Sequence, residues 1–307
     1  MRFGLLLSSL LGLDGGPIGM DGALTTASVP EIFLEDVYFV GHVPLMALQV
    51  DPRISYALYV PKSHYNPDPS GEGSNSSKLP LLVYIHGTGR SIAAIYSELV
   101  PFAETTPCAI LAPLYVKITV FFFRFSSLAR FPAGMDGPND IDSYKELRSE
   151  SLRSDLGLSS VLDQVAYRWP GIETAKVIMM GFSGGGQFAH RFLYLYPERL
   201  AAVSVGAPGR PTFLDDTQDW PVGVADVETV FNRTLSRESI GDVPIQLVVG
   251  NQDVELHGDN EFWECQREVL GSGGLPPMNE TRLESMQTLH TSLEQAGIAS
   301  QLALSTV

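Results

Sequence analysis

Cysteine and positively charged residues are scarce in this sequence. Only two cysteines occur in 307 residues, Cys108 and Cys265, too few for the disulfide framework that holds small secreted domains together. Cys108 lies in an apolar run, which favours a buried free thiol. Lysine and arginine number 20 against 35 aspartates and glutamates, so the formal net charge is −15. An acidic surface repels phosphate, which argues against a nucleic-acid partner.

Long hydrophobic runs and metal-ligand spacings are also lacking. The N-terminal stretch MRFGLLLSSLLGL has the length of a signal-peptide core and is far too short to span a bilayer. Residues 1–30 are therefore expected to form a leader or a disordered N-terminus. A cytoplasmic location is favoured and secretion is the alternative, because the glycosylation tripeptides at Asn75, Asn232 and Asn279 discriminate poorly. No membrane span, metal ion or organic cofactor is expected.

What is present is an alternation of apolar runs with helical patterns. The sequence predicts strands at 54–61, 79–89, 108–115, 175–182, 200–209, 243–253 and 300–306. It predicts helices at 146–168, 185–197 and about 281–296. Such alternation indicates an α/β fold, with a mostly parallel sheet and helices on both of its faces.

Two segments interrupt this alternation and are expected to be insertions in a single domain of residues 31–307. Residues 116–130 have a Phe/Ser/Leu bias, which is what a pyrimidine-rich nucleotide tract encodes. They are therefore either a retained intron or a hydrophobic lid. Residues 210–242, which contain Trp220 and two prolines, are expected to form a cap or loop over the edge of the sheet.

The strongest chemical signal is the stretch GFSGG at residues 181–185, which fits the pattern G-x-S-x-G. It directly follows the apolar run KVIMM and precedes a helical pattern. A serine on a tight turn between a strand and a helix projects its hydroxyl from a strained backbone, and glycines on either side leave room for a substrate. This context predicts that Ser183 is a nucleophile.

The order of three motifs resembles that of the α/β-hydrolase superfamily over roughly residues 50–307. These motifs are YIHGTG, GFSGGG and VVGNQD, which match the superfamily's oxyanion strand, nucleophile turn and acid strand. Within the superfamily, the chain looks most similar to small serine esterases and depolymerase-like hydrolases.

The resemblance implies a role for each matching residue. Ser183 would be the nucleophile, and the backbone N–H groups of Gly184 and Thr88 would form the oxyanion hole. Asp253 would be the carboxylate that orients a catalytic histidine, with Glu255 in the same loop as the fallback acid.

None of the six histidines matches the position of the catalytic base. In the superfamily this base follows the acid, on the loop after the last strand. Here the last predicted strand ends just before Val307. The histidines all precede it: His42, His64, His86, His190, His257 and His290. His86 is expected to shape the oxyanion loop and His190 to point along the core. The domain is thus expected to be C-terminally incomplete, and the activity of the 307-residue form is in doubt.

The resemblance implies a serine hydrolase that cleaves a carboxylic ester through an acyl-enzyme, with a small ester-like molecule as its substrate. One alternative is a tailoring hydrolase of secondary metabolism that acts on a lactone or thioester. Another is a catalytically impaired family member that lacks its histidine and only binds small molecules.

Overall fold

The computed structural model describes residues 24–71, 77–93, 95–115, 140, 142–256 and 280–306. Most of the expected leader, the insertion 116–130, Cys265 and His257 lie outside these residues, as do Asn75 and Asn279.

Eight strands form one sheet in the order β1-β2-β4-β3-β5-β6-β7-β8. They are β1 (Gly41–Ala47), β2 (Ser55–Val60), β3 (Leu81–Ile85), β4 (Ala109–Leu114), β5 (Val177–Phe182), β6 (Leu200–Gly206), β7 (Ile245–Gly250) and β8 (Gln301–Ser305). Strand β2 pairs antiparallel with both β1 and β4, and every other pair is parallel. The expected α/β class with a mostly parallel sheet is confirmed.

Helices connect the parallel strands. They are α1 (Val100–Thr105), α2 (Ser154–Arg168), α3 (Gly184–Leu195), α4 (Val227–Phe231), α5 (Arg237–Gly241) and α6 (Arg282–Gln295). A π-helical turn (Ile95–Leu99) precedes α1, and short 3-10 turns lie at Thr26–Ser28, Glu31–Phe33 and Pro197–Arg199. The helix predicted near 281–296 begins with a capping box, in which Thr281 and Glu284 each bond the other's backbone N–H.

Alternate residues of the central strands enter two separate cores, one on each face of the sheet. On β3, Leu81 and Val83 join the larger core with α2 and α3, whereas Leu82 joins the smaller core with Ala103 of α1. This alternation follows from the period of two along a strand. On β5, by contrast, Ile178 is 38% and Phe182 is 51% exposed, so the apolar run of this strand is not buried on both faces.

The helix predicted over 146–168 begins only at Ser154, so the prediction was wrong for its first eight residues. Leu147 has a φ of 65°, which a right-handed helix does not allow. The N–H of Ser154 donates to the carbonyl of Leu147, and these residues form a tight turn instead. Leu147 and Leu152 are buried, but they lie in a non-helical segment rather than on the apolar face of a helix. The edge strand β1 was not predicted; it contains Pro44, which only an edge strand accommodates readily.

Residues 210–242 connect β6 to β7 and include α4 and α5. The indole N–H of Trp220 donates to the carbonyl of Glu146 at 2.9 Å. Arg233 donates to the carbonyl of Leu195, at the end of α3, at 2.9 Å. The segment therefore packs on the helix that follows Ser183; its role as a cap remains a prediction.

Candidate active site

Ser183 lies between the last residue of β5 and the first residue of α3. Its backbone has φ 56° and ψ −116°, a conformation that is strained for any residue with a side chain. Its N–H donates to the carbonyl of Gly206 on β6 at 2.9 Å, which fixes the backbone at this corner. We refer to residues 181–186 as the serine turn.

The glycines of the serine turn are required by close backbone approach. A Cβ atom at Gly185 would lie 2.1 Å from the carbonyl oxygen of Ile85, a distance that no side chain allows. Glycine thus lets α3 start directly against the end of β3, so that the serine turn reaches the oxyanion loop.

The predicted oxyanion donors lie next to one another. A Cβ atom at Gly184 would be 3.1 Å from the backbone nitrogen of Thr88, and one at Gly87 would be 4.0 Å from Cβ of Ser183. Gly184 is the first residue of α3, so its N–H has no partner within the helix. Among the described residues, the N–H of Thr88 has no hydrogen-bond partner either. Two free backbone donors beside a serine hydroxyl can bind an oxyanion.

Asp253 follows β7, and its N–H donates to the carbonyl of Gly250 at 3.2 Å. β5 and β7 are separated only by β6. At about 4.8 Å per strand spacing, β5 and β7 lie roughly 10 Å apart, and Ser183 and Asp253 follow the carboxyl ends of these two strands. One Asp253 oxygen lies 3.4 Å from Nη1 of Arg282. The fallback acid Glu255 is exposed two residues further on.

His86 and His190 are both held as neutral rings by the backbone. Nε2 of His190 accepts from the N–H of Thr212 at 2.8 Å, and its Nδ1–H donates to the carbonyl of Gly186. Nε2 of His86 accepts from the N–H of Tyr115, and its Nδ1–H donates to the carbonyl of Gly87. Burial lowers the pKa of His86 to about 4 and that of His190 to about 3. Neither ring has a nitrogen left for Ser183.

The other described histidines lie elsewhere. His290 on α6 bonds Ser300, His64 bonds the carbonyl of Glu104, and His42 packs on Tyr59 at the far edge of the sheet. Among the described residues, no side chain hydrogen-bonds the Ser183 hydroxyl. The base that the serine requires is therefore not identified in the described part of the chain.

Two residues that the sequence analysis did not single out contact the serine turn. A Cβ atom at Gly184 would lie 2.6 Å from Oη of Tyr144 and 2.8 Å from Cε of Lys145. Both side chains are buried, and the Tyr144 hydroxyl donates to the carbonyl of His86 at 3.1 Å. The only sequence signal for this contact is the run Gly184–Gly186 itself, since a glycine at 184 leaves space that other side chains can fill.

The described ranges contain no group of three or more His, Cys, Asp and Glu side chains placed to bind a metal ion. None of the helices in those ranges combines the length and the apolar character that crossing a membrane requires.

The comparison with known proteins gives a structural likeness without a sequence relative. No protein-family model and no curated protein match the sequence. A poly(3-hydroxybutyrate) depolymerase from Bordetella parapertussis is similar in structure with a TM-score of 0.60 and 18% identity, over 92% of this chain and 89% of that one. Poly(aspartic acid) hydrolase-1 from Sphingomonas sp. KT-1 is similar with a TM-score of 0.56 and 17% identity, over 87% and 93%. At such identities the likeness speaks to the fold alone. Together with the order of the strands, it shows that the chain has the α/β-hydrolase fold.

Proposed function

We propose that this chain is a serine hydrolase that cleaves a carboxylic ester through an acyl-enzyme on Ser183. The observation that carries the proposal is the strained backbone of Ser183, at φ 56° and ψ −116°, between β5 and α3. Strain of this kind persists where the surrounding structure enforces it, and such residues cluster at active sites. A solved neighbour of the same fold is named as a poly(3-hydroxybutyrate) depolymerase, whose substrate is a polyester.

In this mechanism, Ser183 Oγ attacks the ester carbonyl carbon while its proton passes to a base. The carbonyl oxygen becomes an oxyanion between the N–H groups of Thr88 and Gly184. Such preorganised donors contribute about 3 to 4 kcal/mol each to transition-state stabilisation. The C–O bond to the alcohol then breaks, and the alcohol takes the proton from the base. Water repeats the sequence on the acyl-enzyme and releases the acid.

The test is labelling by a fluorophosphonate probe, with the modified peptide located by mass spectrometry, together with turnover of p-nitrophenyl butyrate. We expect the probe on Ser183, and we expect Ser183→Ala to lose both labelling and turnover. Ser204→Ala, which removes a hydroxyl bonded to Gln246 on the neighbouring strand, should keep both. Equal turnover by wild type and Ser183→Ala would refute the proposal. Lactone and thioester substrates assayed in parallel test the tailoring alternative.

One observation favours a second function, binding without turnover. Neither His86 nor His190 has a ring nitrogen free to accept the Ser183 proton, since both nitrogens of each ring are used in backbone hydrogen bonds. In this case the protein would bind ester analogues without labelling. His257→Ala separates the two functions further, because a collapse of labelling in this variant would identify His257 as the base.

A further inference from the structure

Lys145 lies against the serine turn on the side of the oxyanion donors. The Cβ position of Gly184 is 2.8 Å from Cε of Lys145 and 3.1 Å from the nitrogen of Thr88. Only 4% of the Lys145 side chain is exposed. The Lys145 atom nearest this Cβ position is the methylene carbon Cε, and the ammonium one bond further on donates to Oδ1 of Asp142.

The Lys145 ammonium has more N–H groups than hydrogen-bond acceptors among the described residues. It has three N–H groups, and among the described residues its only hydrogen-bond partner is Oδ1 of Asp142 at 2.8 Å. Buried donors without acceptors cost free energy, and charged ones cost more. An anionic oxygen of a bound ligand is a strong acceptor for an ammonium, and the i,i+3 pairing with Asp142 holds the ammonium in place to receive it.

In the part of the chain that the structure describes, the surroundings of Lys145 hold more cations than carboxylates. Beneath it, the buried guanidinium of Arg191 donates to neutral acceptors: the hydroxyl of Thr212, the amide oxygen of Gln187 and the carbonyls of Lys145 and Arg210. No carboxylate of the described residues pairs with Arg191. Among the described residues, the charged groups here are the cations Arg90, Lys145, Arg191 and Arg210 and the carboxylates Asp140, Asp142 and Glu146. Burial raises the pKa of Glu146, which weakens the negative side further.

The chain has a net charge of −15, so its long-range field repels anions. A site near Lys145 can therefore select an anion only through direct contact with the cations there. We propose that the active site takes esters whose acyl part carries a carboxylate, and that Lys145 binds this carboxylate and so determines specificity. This inference rests on the proposed function of Ser183. If Lys145 instead assisted the oxyanion, it would act equally on charged and neutral esters, which the experiment distinguishes.

The hydrolysis experiment compares mono-p-nitrophenyl adipate with its methyl ester, which differ in one charge. Rates of Ser183→Ala are subtracted as the blank. We expect wild type to prefer the charged ester in kcat/KM by about tenfold or more, as a hydrogen bond to a charged group implies. Lys145→Met should abolish this preference, chiefly by raising KM for the charged ester. Lys62→Met removes the same charge from an exposed surface pair with Glu35 and should leave the preference unchanged. An equal fall for both esters in Lys145→Met, or no preference in wild type, would overturn the inference.

A binding experiment separates this inference from the proposed function, because it needs no turnover. In Ser183→Ala, calorimetry should show monomethyl adipate binding about tenfold or more tightly than dimethyl adipate. If wild type cleaves neither ester but this preference holds, the hydrolase proposal fails and Lys145 keeps its role. Asp142→Asn keeps an oxygen that can hold the ammonium but removes the competing negative charge, so it should increase the preference, and it also serves if Lys145→Met does not fold. Equal binding of both ligands, or a ratio that neither variant changes, would refute the role of Lys145.

Discussion

Thr212 and His190 are joined by a hydrogen bond in which the backbone N–H of Thr212 donates to Nε2 of His190 over 2.8 Å. Since Nδ1–H donates to the carbonyl of Gly186 at 2.7 Å, the ring fixes the connection after β6 to the first turn of α3. This bond requires a neutral ring. A proton on Nε2 would place two N–H groups against each other and break the link behind the serine turn.

We therefore expect the free energy of unfolding to fall as the pH falls below about 6.5. The folded pKa of His190 is about 3 and that of His86 about 4, against an ordinary value of 6.5. Between these values the unfolded chain binds more protons than the folded chain, so acid favours unfolding by up to about 1.4 kcal/mol per pH unit for each histidine. Urea denaturation at several pH values between 4 and 7 measures this slope.

His190→Gln should be less stable than wild type at pH 7 but should show a shallower slope, since one of the two rings no longer titrates. His64→Gln is the matched control, because His64 is outside the core and bonds only the carbonyl of Glu104. If His190→Gln keeps the slope of wild type, or if His64→Gln lowers it as much, His190 is not a cause of the acid sensitivity.

Ser183 provides a second stability prediction, because its strained backbone costs folding free energy of order 1–3 kcal/mol. Glycine adopts this conformation freely, whereas alanine does not. Both Ser183→Gly and Ser183→Ala lose the hydroxyl and should be inactive. After the extra entropy of glycine in the unfolded chain is subtracted, Ser183→Gly should still be about 1 kcal/mol more stable than Ser183→Ala. Equal stability in urea denaturation would show that the turn is not strained.

Much of this architecture is predictable because local patterns determine it. The apolar run before Gly181 and the helical pattern after it predicted the strand, the turn and α3, and these elements position Ser183. The roles of Thr88 and Asp253 came from the resemblance, and both residues follow strands that end at the same edge of the sheet as β5.

The remainder depends on contacts between residues that are distant in sequence, which periodicity does not report. Leu147 fits the apolar pattern of a helix, yet its positive φ is not allowed in a right-handed helix. Lys145 lies two residues before Leu147, and it contacts Gly184, which is 39 positions further along the sequence. No local signal distinguishes this buried lysine from an exposed one. Likewise, the pairing of Asp253 with Arg282 follows from the packing of α6 beside β7.

Asp253 is predicted to be the carboxylate that orients the catalytic base. Asp253→Asn keeps the shape but removes the charge that stabilises an imidazolium, so kcat for p-nitrophenyl butyrate should fall by about a hundredfold or more. Because the Asp253 carboxylate is partly exposed and its contact with Arg282 is 3.4 Å long, the melting temperature should change little. Glu255→Gln is the control in the same loop and should remain active. The reverse pattern would assign the acid to Glu255.

Three glycines near the proposed oxyanion hole, Gly89, Gly185 and Gly184, should respond differently to alanine, because each faces a different neighbour. A Cβ at Gly89 meets nothing within 4 Å, so Gly89→Ala should stay within about 0.5 kcal/mol of wild type. A Cβ at Gly185 meets the backbone of Ile85 at 2.1 Å, which cannot move without breaking the sheet, so Gly185→Ala should lose about 4 kcal/mol or more, or fail to fold.

Gly184→Ala is the informative member of this set. Its Cβ meets two side chains that can shift, Oη of Tyr144 at 2.6 Å and Cε of Lys145 at 2.8 Å, and it also lies 3.1 Å from the backbone nitrogen of Thr88. Overpacking of this kind costs about 1–3 kcal/mol, so the variant should fold. Displacing Lys145 from the serine turn should nevertheless reduce ester turnover, and it should reduce it more for an ester that carries a carboxylate than for its neutral methyl ester. Urea denaturation and the paired ester assay measure both effects on the same preparation. If Gly184→Ala is as unstable as Gly185→Ala, the side chain of Lys145 cannot shift at this contact. If turnover of both esters falls equally, the contact between Gly184 and Lys145 has no effect on the choice between charged and neutral esters.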